Sequence, residues 1–197
     1  ITFDGTTLNS SGGRDAFVVK YNSAGTLQWA RNSSGGGDEH AWGGTADAAG
    51  NVYLTGYFTG TAVFGATTLN SSGAQDAFVA KYDTNGNVAW AKKGGGTANE
   101  EPWSVSTDSN GNVYMTGQFN SATCTFDGTT LTKAGGVDDG FLVKYNTSGV
   151  LQWAKSIGGT GRDVFNGTAV DTGGNVYAVG WFDSSALTIG ATTLNPA

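Results

Sequence analysis

The sequence is poor in cysteine, histidine, proline and basic residues, and each shortage excludes a class of protein. Cys124 is the single cysteine, so no disulfide forms within the chain, and with His40 as the single histidine a His-rich metal site is excluded. Ten Lys and Arg against 16 Asp and Glu give a net charge of −6, without the basic stripe of a nucleic-acid binder. Two prolines are too few for a Pro-rich linker. No apolar run approaches the roughly 20 residues of a membrane-spanning helix. We therefore expect no nucleic-acid partner and no membrane span.

Glycine and aromatic residues, by contrast, are plentiful. The 33 glycines and 12% aromatic residues among 197 are typical of many short strands joined by tight turns. Few lysines and many Thr, Asn and Gly suit an extracellular surface. The chain begins with Ile1 and shows no signal-peptide pattern, so we expect a processed product or a fragment.

One hairpin-like segment is written three times. DAFVAKYDTNGNVAWAK at 76–92 recurs as DAFVVKYNSAGTLQWAR at 15–31 and as DGFLVKYNTSGVLQWAK at 139–155. The motif NVYxxGxF and a short segment ending in TTL recur with the same period of about 60 residues. Three complete units therefore fit, and a fourth begins at the C-terminal end.

Each unit contains four predicted strands, A to D, arranged as two hairpins. In DAFVAKY (76–82) the side chains alternate between two faces with period two, which is the pattern of a strand. Turns such as DTNG and DSNG combine side chains that cap the backbone with a glycine that accepts positive φ. No window shows a helical period, so we expect very little helix. Apolar residues lie on both faces of strands B and C, as a sheet packed between two neighbours requires.

Four strands in about 60 residues are the pattern of a β-propeller blade. We therefore predict an all-β fold of four-stranded antiparallel β-propeller blades, about three blades' worth of a larger or oligomer-completed propeller. A β-trefoil, which has shorter repeats, and a β-solenoid, which has shorter coils without paired hairpin turns, are the alternatives.

The motifs DAFVAKYD and D-x-x-GNVY-x-TG, with a Gly-rich acidic stretch between them, resemble the bacterial SBBP-type β-propeller repeat. The resemblance covers nearly the whole chain, three times over. It implies a propeller in a secreted or cell-surface bacterial protein, and it implies little about activity. The chain departs from the usual repeat through the segment TFDGTTLNSSGG, which we expect to form a small hairpin at the outer edge of the blade.

The predicted boundaries leave incomplete blades at both ends. They are a half-blade at 1–32, blades at 41–94 and 102–156, a half-blade at 166–182 and the start of another unit at 188–197. Known propellers have about four to eight blades. Either the chain belongs to a longer polypeptide, or copies assemble so that the C–D hairpin of one completes the A–B hairpin of another. The expected partners are thus other propeller blades or copies of the same chain.

Motifs for catalysis and cofactors are absent from the sequence. No G-x-S-x-G elbow accompanies the single histidine, and GGTG is not followed by the Gly-Lys-Ser/Thr of a phosphate loop. We expect no catalytic residue, no cofactor and no metal. The residues that recur in every unit are interpreted as scaffold. The recurrent Trp and Lys side chains are expected to pack between blades: Trp29, Trp90, Trp153, Lys20, Lys81 and Lys144. The recurrent Asp side chains are expected to cap turns rather than bind calcium: Asp47, Asp108 and Asp171.

The loops from strand D to the next strand A carry the candidate ligand-binding residues. The acidic position that recurs at Glu39, Glu100 and Asp163 is interpreted as solvated acidic loops, and cation or sugar binding around a channel opening is the alternative hypothesis. The aromatic residues that vary among units, Trp42, Trp103 and Trp181, are the candidates for a platform that binds surface glycans. Our leading hypothesis is a non-catalytic extracellular scaffold, adhesion or assembly module. A glycan-binding propeller is the alternative. A hydrolase or lyase would need clustered carboxylates about 5–10 Å apart.

Overall fold

All the regular structure is β-strand. The computed structural model describes residues 1–195, and within them there is no α-helix, and so none that could cross a membrane. Pro196 and Ala197, the end of the predicted unit start at 188–197, lie outside the described residues. The strands are β1 (Thr2–Phe3), β2 (Thr6–Thr7), β3 (Phe17–Tyr21), β4 (Leu27–Asn32), β5 (Ser34–Gly35), β6 (Glu39–Ala46), β7 (Val52–Phe58), β8 (Thr61–Phe64), β9 (Thr67–Asn70), β10 (Asp76–Tyr82), β11 (Val88–Gly95), β12 (Glu100–Thr107), β13 (Val113–Phe119), β14 (Thr123–Phe126), β15 (Thr129–Thr132), β16 (Asp139–Tyr145), β17 (Leu151–Ile157), β18 (Asp163–Val170), β19 (Val176–Phe182), β20 (Leu187–Ile189) and β21 (Thr192–Leu194).

The sheets repeat one antiparallel plan. β12, β13, β16 and β17, which are the predicted strands A to D of one unit, form a sheet in that order. β6, β7, β10 and β11 are strands A to D of the preceding unit and follow the same order in another sheet. The pairs β3–β4 and β18–β19 repeat the second and first halves of this plan. The first strands of successive sheets lie side by side, β6 against β12 and β12 against β18. The expectation of an all-β fold of antiparallel sheets with very little helix is confirmed.

The small hairpins fasten one unit to the preceding one. β14–β15 lies in the sequence between β13 and β16, yet β14 pairs with β11, the last strand of the preceding sheet. Likewise β8 pairs with β5, which follows β4 of the first unit. We expected this hairpin at the outer edge of its own blade. It reaches the neighbouring sheet because β13 and β16 pair directly and leave no free edge between them.

The core lies between the sheets rather than within any one of them. All seven residues of β10 and all seven of β13 are buried, so both faces of these strands are covered. One apolar cluster, which includes Leu54 and Phe78, joins the first and second units, and another, which includes Met115 and Phe141, lies between the second and third. Each sheet is therefore stabilised by its neighbours, as the apolar pattern on both faces predicts.

The A–B turns are closed by a recurrent aspartate. Asp108 Oδ1 accepts hydrogen bonds from the backbone N–H groups of Asn110 and Asn112, and Oδ2 accepts from the Asn112 amide at 2.7 Å and the Tyr114 hydroxyl at 3.1 Å. Burial alone would raise the pKa of Asp108, but these donors hold it below its ordinary value. The same donors serve the equivalent positions 47 and 171. The capped-turn interpretation of this aspartate is supported.

The recurrent Trp and Lys of one unit hold the C–D turn of the next. Trp29 Nε1 donates to the Thr84 carbonyl at 3.0 Å, and Lys20 Nζ donates to the same oxygen at 3.2 Å. The second unit repeats the contact on the Thr147 carbonyl through Trp90 and Lys81, at 3.2 and 2.9 Å. These side chains are scaffold contacts between units, in agreement with the packing interpretation.

Candidate functional site

The predicted acidic residues begin the inner strands and are buried. Glu39, Glu100 and Asp163 are the first residues of β6, β12 and β18, with exposed fractions of 1%, 0% and 0%. This corrects the interpretation as solvated acidic loops. The physical reason is the Gly-rich connection, which folds back over each carboxylate: the Gly96 N–H donates to Glu100 Oε2 at 2.7 Å.

A serine hydroxyl supports each of these carboxylates. Ser33 donates to Glu39 Oε2 at 3.0 Å, and Ser184 donates to Asp163 Oδ2 at 2.6 Å. Ser121 bonds Glu100 in the same way. Burial raises the pKa of Glu39 and of Glu100 to about 7, and the serine hydroxyls only partly oppose it.

The three carboxylates lie at three different junctions between units and do not form one cluster. Within residues 1–195 no three His, Cys, Asp or Glu side chains come together as metal ligands. Glycoside cleavage needs two carboxyl groups about 5–10 Å apart around an open substrate site. These buried, separately bonded acids do not provide that arrangement, so the hydrolase hypothesis gains no support from them.

Two predicted tryptophans meet on the inner strands, and β-bulges place them there. Trp42 interrupts the pairing of β6 with β7, and Trp103 interrupts that of β12 with β13. A bulge adds one unpaired residue and redirects its side chain. The two ring centroids are 5.5 Å apart, and Trp42 is 51% exposed, whereas Trp103 is half-buried.

Two residues that the sequence did not single out as ligand contacts extend this aromatic surface. His40 stacks on Tyr57 with centroids 4.7 Å apart, and Trp42 lies 6.2 and 6.3 Å from these two rings. Tyr57 occupies the same repeat position as Gln118 and Trp181, and the variation among these residues is the sequence signal that could have marked Tyr57 as a ligand contact. We call His40, Trp42, Tyr57 and Trp103 the aromatic patch.

Trp181 does not join the aromatic patch. It lies on β19, where the Arg162 guanidinium sits 5.5 Å from its ring centroid. Arg162 also forms an ion pair with Asp138 at 2.6 Å and donates to Gln118 Oε1 at 3.2 Å. Beside them lies a polar cavity of about 330 Å³, lined by Asn99, Glu101, Gln118, Asn120, Asp138 and Arg162 among others.

The arrangement offers groups that are suited to ligand recognition. The aromatic patch supplies apolar ring faces, with the Arg14 guanidinium 3.2 Å from His40 Nε2 at its border. The neighbouring cavity supplies amide, carboxylate and guanidinium groups. A ligand with alternating apolar and hydroxyl surfaces would match both.

Two curated proteins resemble the chain. An uncharacterized WD repeat-containing protein of Acanthamoeba polyphaga mimivirus is 30% identical over 135 residues, which is 63% of this chain and 10% of that protein. The regulatory protein FlaEY of Caulobacter vibrioides is 30% identical over 144 residues, which is 70% of this chain and 15% of that protein. The chain therefore spans only a small part of either relative.

No family model matches the chain, so membership of the SBBP-type family stays a prediction. The WD-repeat similarity, taken with the repeated antiparallel sheets, supports a repetitive β-rich fold like that of a β-propeller. Propellers of this kind commonly act as non-catalytic scaffolds, and the similarity points in that direction.

Proposed function

We propose that the chain is a non-catalytic β-propeller-like interaction module that assembles edge to edge with further copies of its own repeat. In this assembly β19 of one copy pairs with β3 of a second copy and completes a four-stranded blade. The observation that carries the proposal is a pair of complementary strand edges, on β3 and on β19, that no described strand covers.

Each free edge has a paired counterpart inside the chain. β10 and β16 pair on both sides, whereas β3, at the same repeat position, pairs only with β4 among the described strands. Similarly β7 and β13 pair on both sides, whereas β19 pairs only with β18. An open strand edge is a template for another strand. The pairing of β7 with β10 and of β13 with β16 inside the chain supports β19 as the partner of β3.

The side chains at these edges are exposed where their repeat counterparts are buried. Phe17 on β3 is 44% exposed, but its counterpart Phe78 is 0% exposed. Tyr177 on β19 is 56% exposed, but its counterpart Tyr114 is 1% exposed. Beside β19 lies an apolar cavity of about 330 Å³ lined by Ile157, Val164, Val179, Trp181, Leu187 and Ile189 among others. Pairing would remove this apolar surface from water, which favours association.

The internal sheets predict the register of the contact. Phe78 lies opposite Gly56 and Tyr82 opposite Val52, and the third unit repeats this register. Translated to the free edges, Phe17 of one copy lies opposite Gly180 of the other, and Tyr21 lies opposite Val176.

Light scattering in solution tests the assembly. The chain should have a mass that is a multiple of its 20.1 kDa and that falls on dilution. Val179→Lys should weaken association at least tenfold because it places a charge in the contact, whereas Val150→Lys, at an equally exposed turn valine, should leave it unchanged. A well-folded chain of 20.1 kDa at every concentration would reject the proposal.

An extracellular or cell-surface position on a bacterium, and a role in adhesion, complete this proposal. Their support is the Thr-, Asn- and Gly-rich composition and the SBBP-like motifs. Protease added to intact producing cells should then cleave the chain. Protection until the cells are lysed would argue against a surface position.

The aromatic patch favours a second candidate function, the binding of surface glycans. Trp42 and Trp103 present adjacent rings, and Glu101, two residues before Trp103 on β12, lines the polar cavity. Ring faces and polar groups are the combination that a sugar face and its hydroxyl groups require. A glycan array with the wild-type chain and Trp42→Ala tests it, with Val150→Ala, at an exposed turn outside both the patch and the cavity, as the control. Binding that survives Trp42→Ala, or a chain that binds no glycan, would exclude this candidate.

A further inference from the structure

An acidic pair recurs at each junction between units. Every strand C begins next to an aspartate, and the following strand A begins with Glu or Asp, so the pairs are Asp15 with Glu39, Asp76 with Glu100, and Asp139 with Asp163. We call them the junction pairs. Apart from Asp15, which is partly exposed, all their members are buried.

The backbone brings the members of each pair together. The Glu100 N–H donates to the Gln75 carbonyl at 2.7 Å, directly before Asp76. The corresponding bonds run from Glu39 to Arg14 at 2.6 Å and from Asp163 to Asp138 at 2.9 Å. The pairing of the two acids is therefore a property of the repeat and not of one junction.

Each carboxylate uses one oxygen and leaves the other without a partner. Asp76 Oδ2 accepts the Ser72 N–H at 2.9 Å, and Asp139 Oδ2 accepts the Ala134 N–H at 2.6 Å. The second oxygen of every member is buried and makes no hydrogen bond: Asp15 Oδ1, Glu39 Oε1, Asp76 Oδ1, Glu100 Oε1, Asp139 Oδ1 and Asp163 Oδ1. Buried carboxylate oxygens without partners are costly, and here six of them recur in equivalent places.

Glycines close the chain tightly around these oxygens. A Cβ at Gly95 would overlap the Asp76 carboxylate, and the next peptide N–H binds Glu100. A Cβ at Gly158 would overlap the Asp139 carboxylate in the same way, and a Cβ at Gly159 would lie 2.5 Å from the Oγ of Ser184, which bonds Asp163. Both carboxylates of a pair therefore face the same short Gly-rich stretch.

We propose that each junction pair is a binding site for one divalent cation, with calcium the class that fits its ligands. The donors are carboxylate oxygens, with serine hydroxyl and backbone oxygens nearby, and calcium prefers such hard ligands in flexible geometry. Each site offers two carboxylates, so serine hydroxyl and backbone oxygens would complete the coordination shell of the cation.

The two carboxylates of a pair influence each other electrostatically: Asp15 acts on Glu39, Asp76 on Glu100, and Asp163 on Asp139. A cation bound between them would relieve this repulsion. The second junction also contains Lys93, whose Nζ lies 3.2 Å from Asp76 Oδ2. Because this ammonium already compensates one carboxylate, calcium affinity should be weakest at the second junction.

Thermal unfolding of the full chain with calcium chloride or EDTA tests the proposal. At pH 8 saturating calcium should raise the midpoint by about 5 °C or more. The triple variant Glu39→Gln, Glu100→Gln and Asp163→Asn should lose this shift. It removes buried charge without changing side-chain size, so it should fold at least as well. Glu101→Gln, next in sequence but outside the junction pairs, is the matched control and should keep it.

Three outcomes would overturn the proposal. One is no calcium shift at pH 8, because the junction pairs would then bind no cation. Another is a calcium shift that survives in the triple variant, since calcium would then bind elsewhere. A third is an equal shift with magnesium, which would indicate general charge screening. Light scattering of the same samples with calcium and with EDTA separates a calcium effect on assembly from calcium binding at the junction pairs.

Discussion

Replacing Gly86 by alanine tests how strongly neighbouring units hold each other, because the same turn occurs once without a neighbour. Gly86 has a φ of 79° and closes a C–D turn beneath the Trp29 ring. A Cβ added there would lie 2.7 Å from Trp29 Cδ2. Gly25 occupies the same repeat position with a φ of 76°, but an added Cβ meets no atom within 4 Å.

The two substitutions differ only in the contact between units. Both carry the cost of a side chain at positive φ, about 1–2 kcal/mol. Gly86→Ala also pushes against a buried ring, and overpacking of this kind costs about 1–3 kcal/mol more. At about 2–4 °C per kcal/mol for a chain of this size, G86A should melt roughly 3–10 °C below G25A.

Urea and thermal unfolding of the wild type, G25A and G86A, followed by tryptophan fluorescence, measure this difference. Gly149→Ala, where the added Cβ would lie 2.9 Å from Trp90, should reproduce the loss seen for G86A. Equal midpoints for G25A and G86A would refute the reasoning, because the Trp29 contact with the neighbouring turn would then contribute nothing to stability.

Three further predictions concern the pH dependence, the capped turns and the buried thiol. Without calcium, the free energy of unfolding should fall as the pH rises from about 4.5 to 7, by up to about 1.4 kcal/mol per pH unit for each group, because folded Glu39 and Glu100 keep protons that the unfolded chain releases. Urea titrations at several pH values measure this, and E100Q should make the free energy of unfolding less dependent on pH. Asp108→Ala should destabilise the chain by about 1–3 kcal/mol because buried donors lose their acceptor, and Asp171→Ala, in the exposed equivalent turn, should cost clearly less. Equal losses for the two variants in urea unfolding would contradict this prediction. Cys124 is fully buried on β14, which raises the pKa of its thiol, so a thiol reagent should react only at the rate of unfolding, and rapid labelling of the native chain would show that β14 is misplaced.

The strand pattern could be predicted from the sequence because strands and tight turns depend mainly on residues that are close in sequence. Period-two alternation, as in DAFVAKY, and Asx-Gly turns depend on neighbouring residues, and three copies of each reinforce the interpretation. The burial of both faces of β10 and β13 could also be predicted from the sequence, because the apolar residues of these strands are not confined to one face.

The contacts between units could not be predicted in the same way. The pairing of β14 with β11 joins residues of different repeats, and a single sequence gives no signal for such a pair. The acidic position of Glu39 and Glu100 was recognised, but charge suggested exposure, and only the fold of the Gly-rich connection shows that the carboxylates are buried. The aromatic patch depends on bulges at Trp42 and Trp103, which alternation alone does not reveal.

Cysteine cross-linking at the two free edges tests the central claim most directly. The internal register places Val79 opposite Thr55, so Val18 of one copy should lie opposite Val179 of another. A Val18→Cys, Val179→Cys chain should form disulfide-linked dimers and higher oligomers on mild oxidation, whereas Val18→Cys with Ala178→Cys, one residue out of register, should not. Absence of linked oligomers from the first pair, or equal linking by both pairs, would contradict edge-to-edge assembly through β3 and β19.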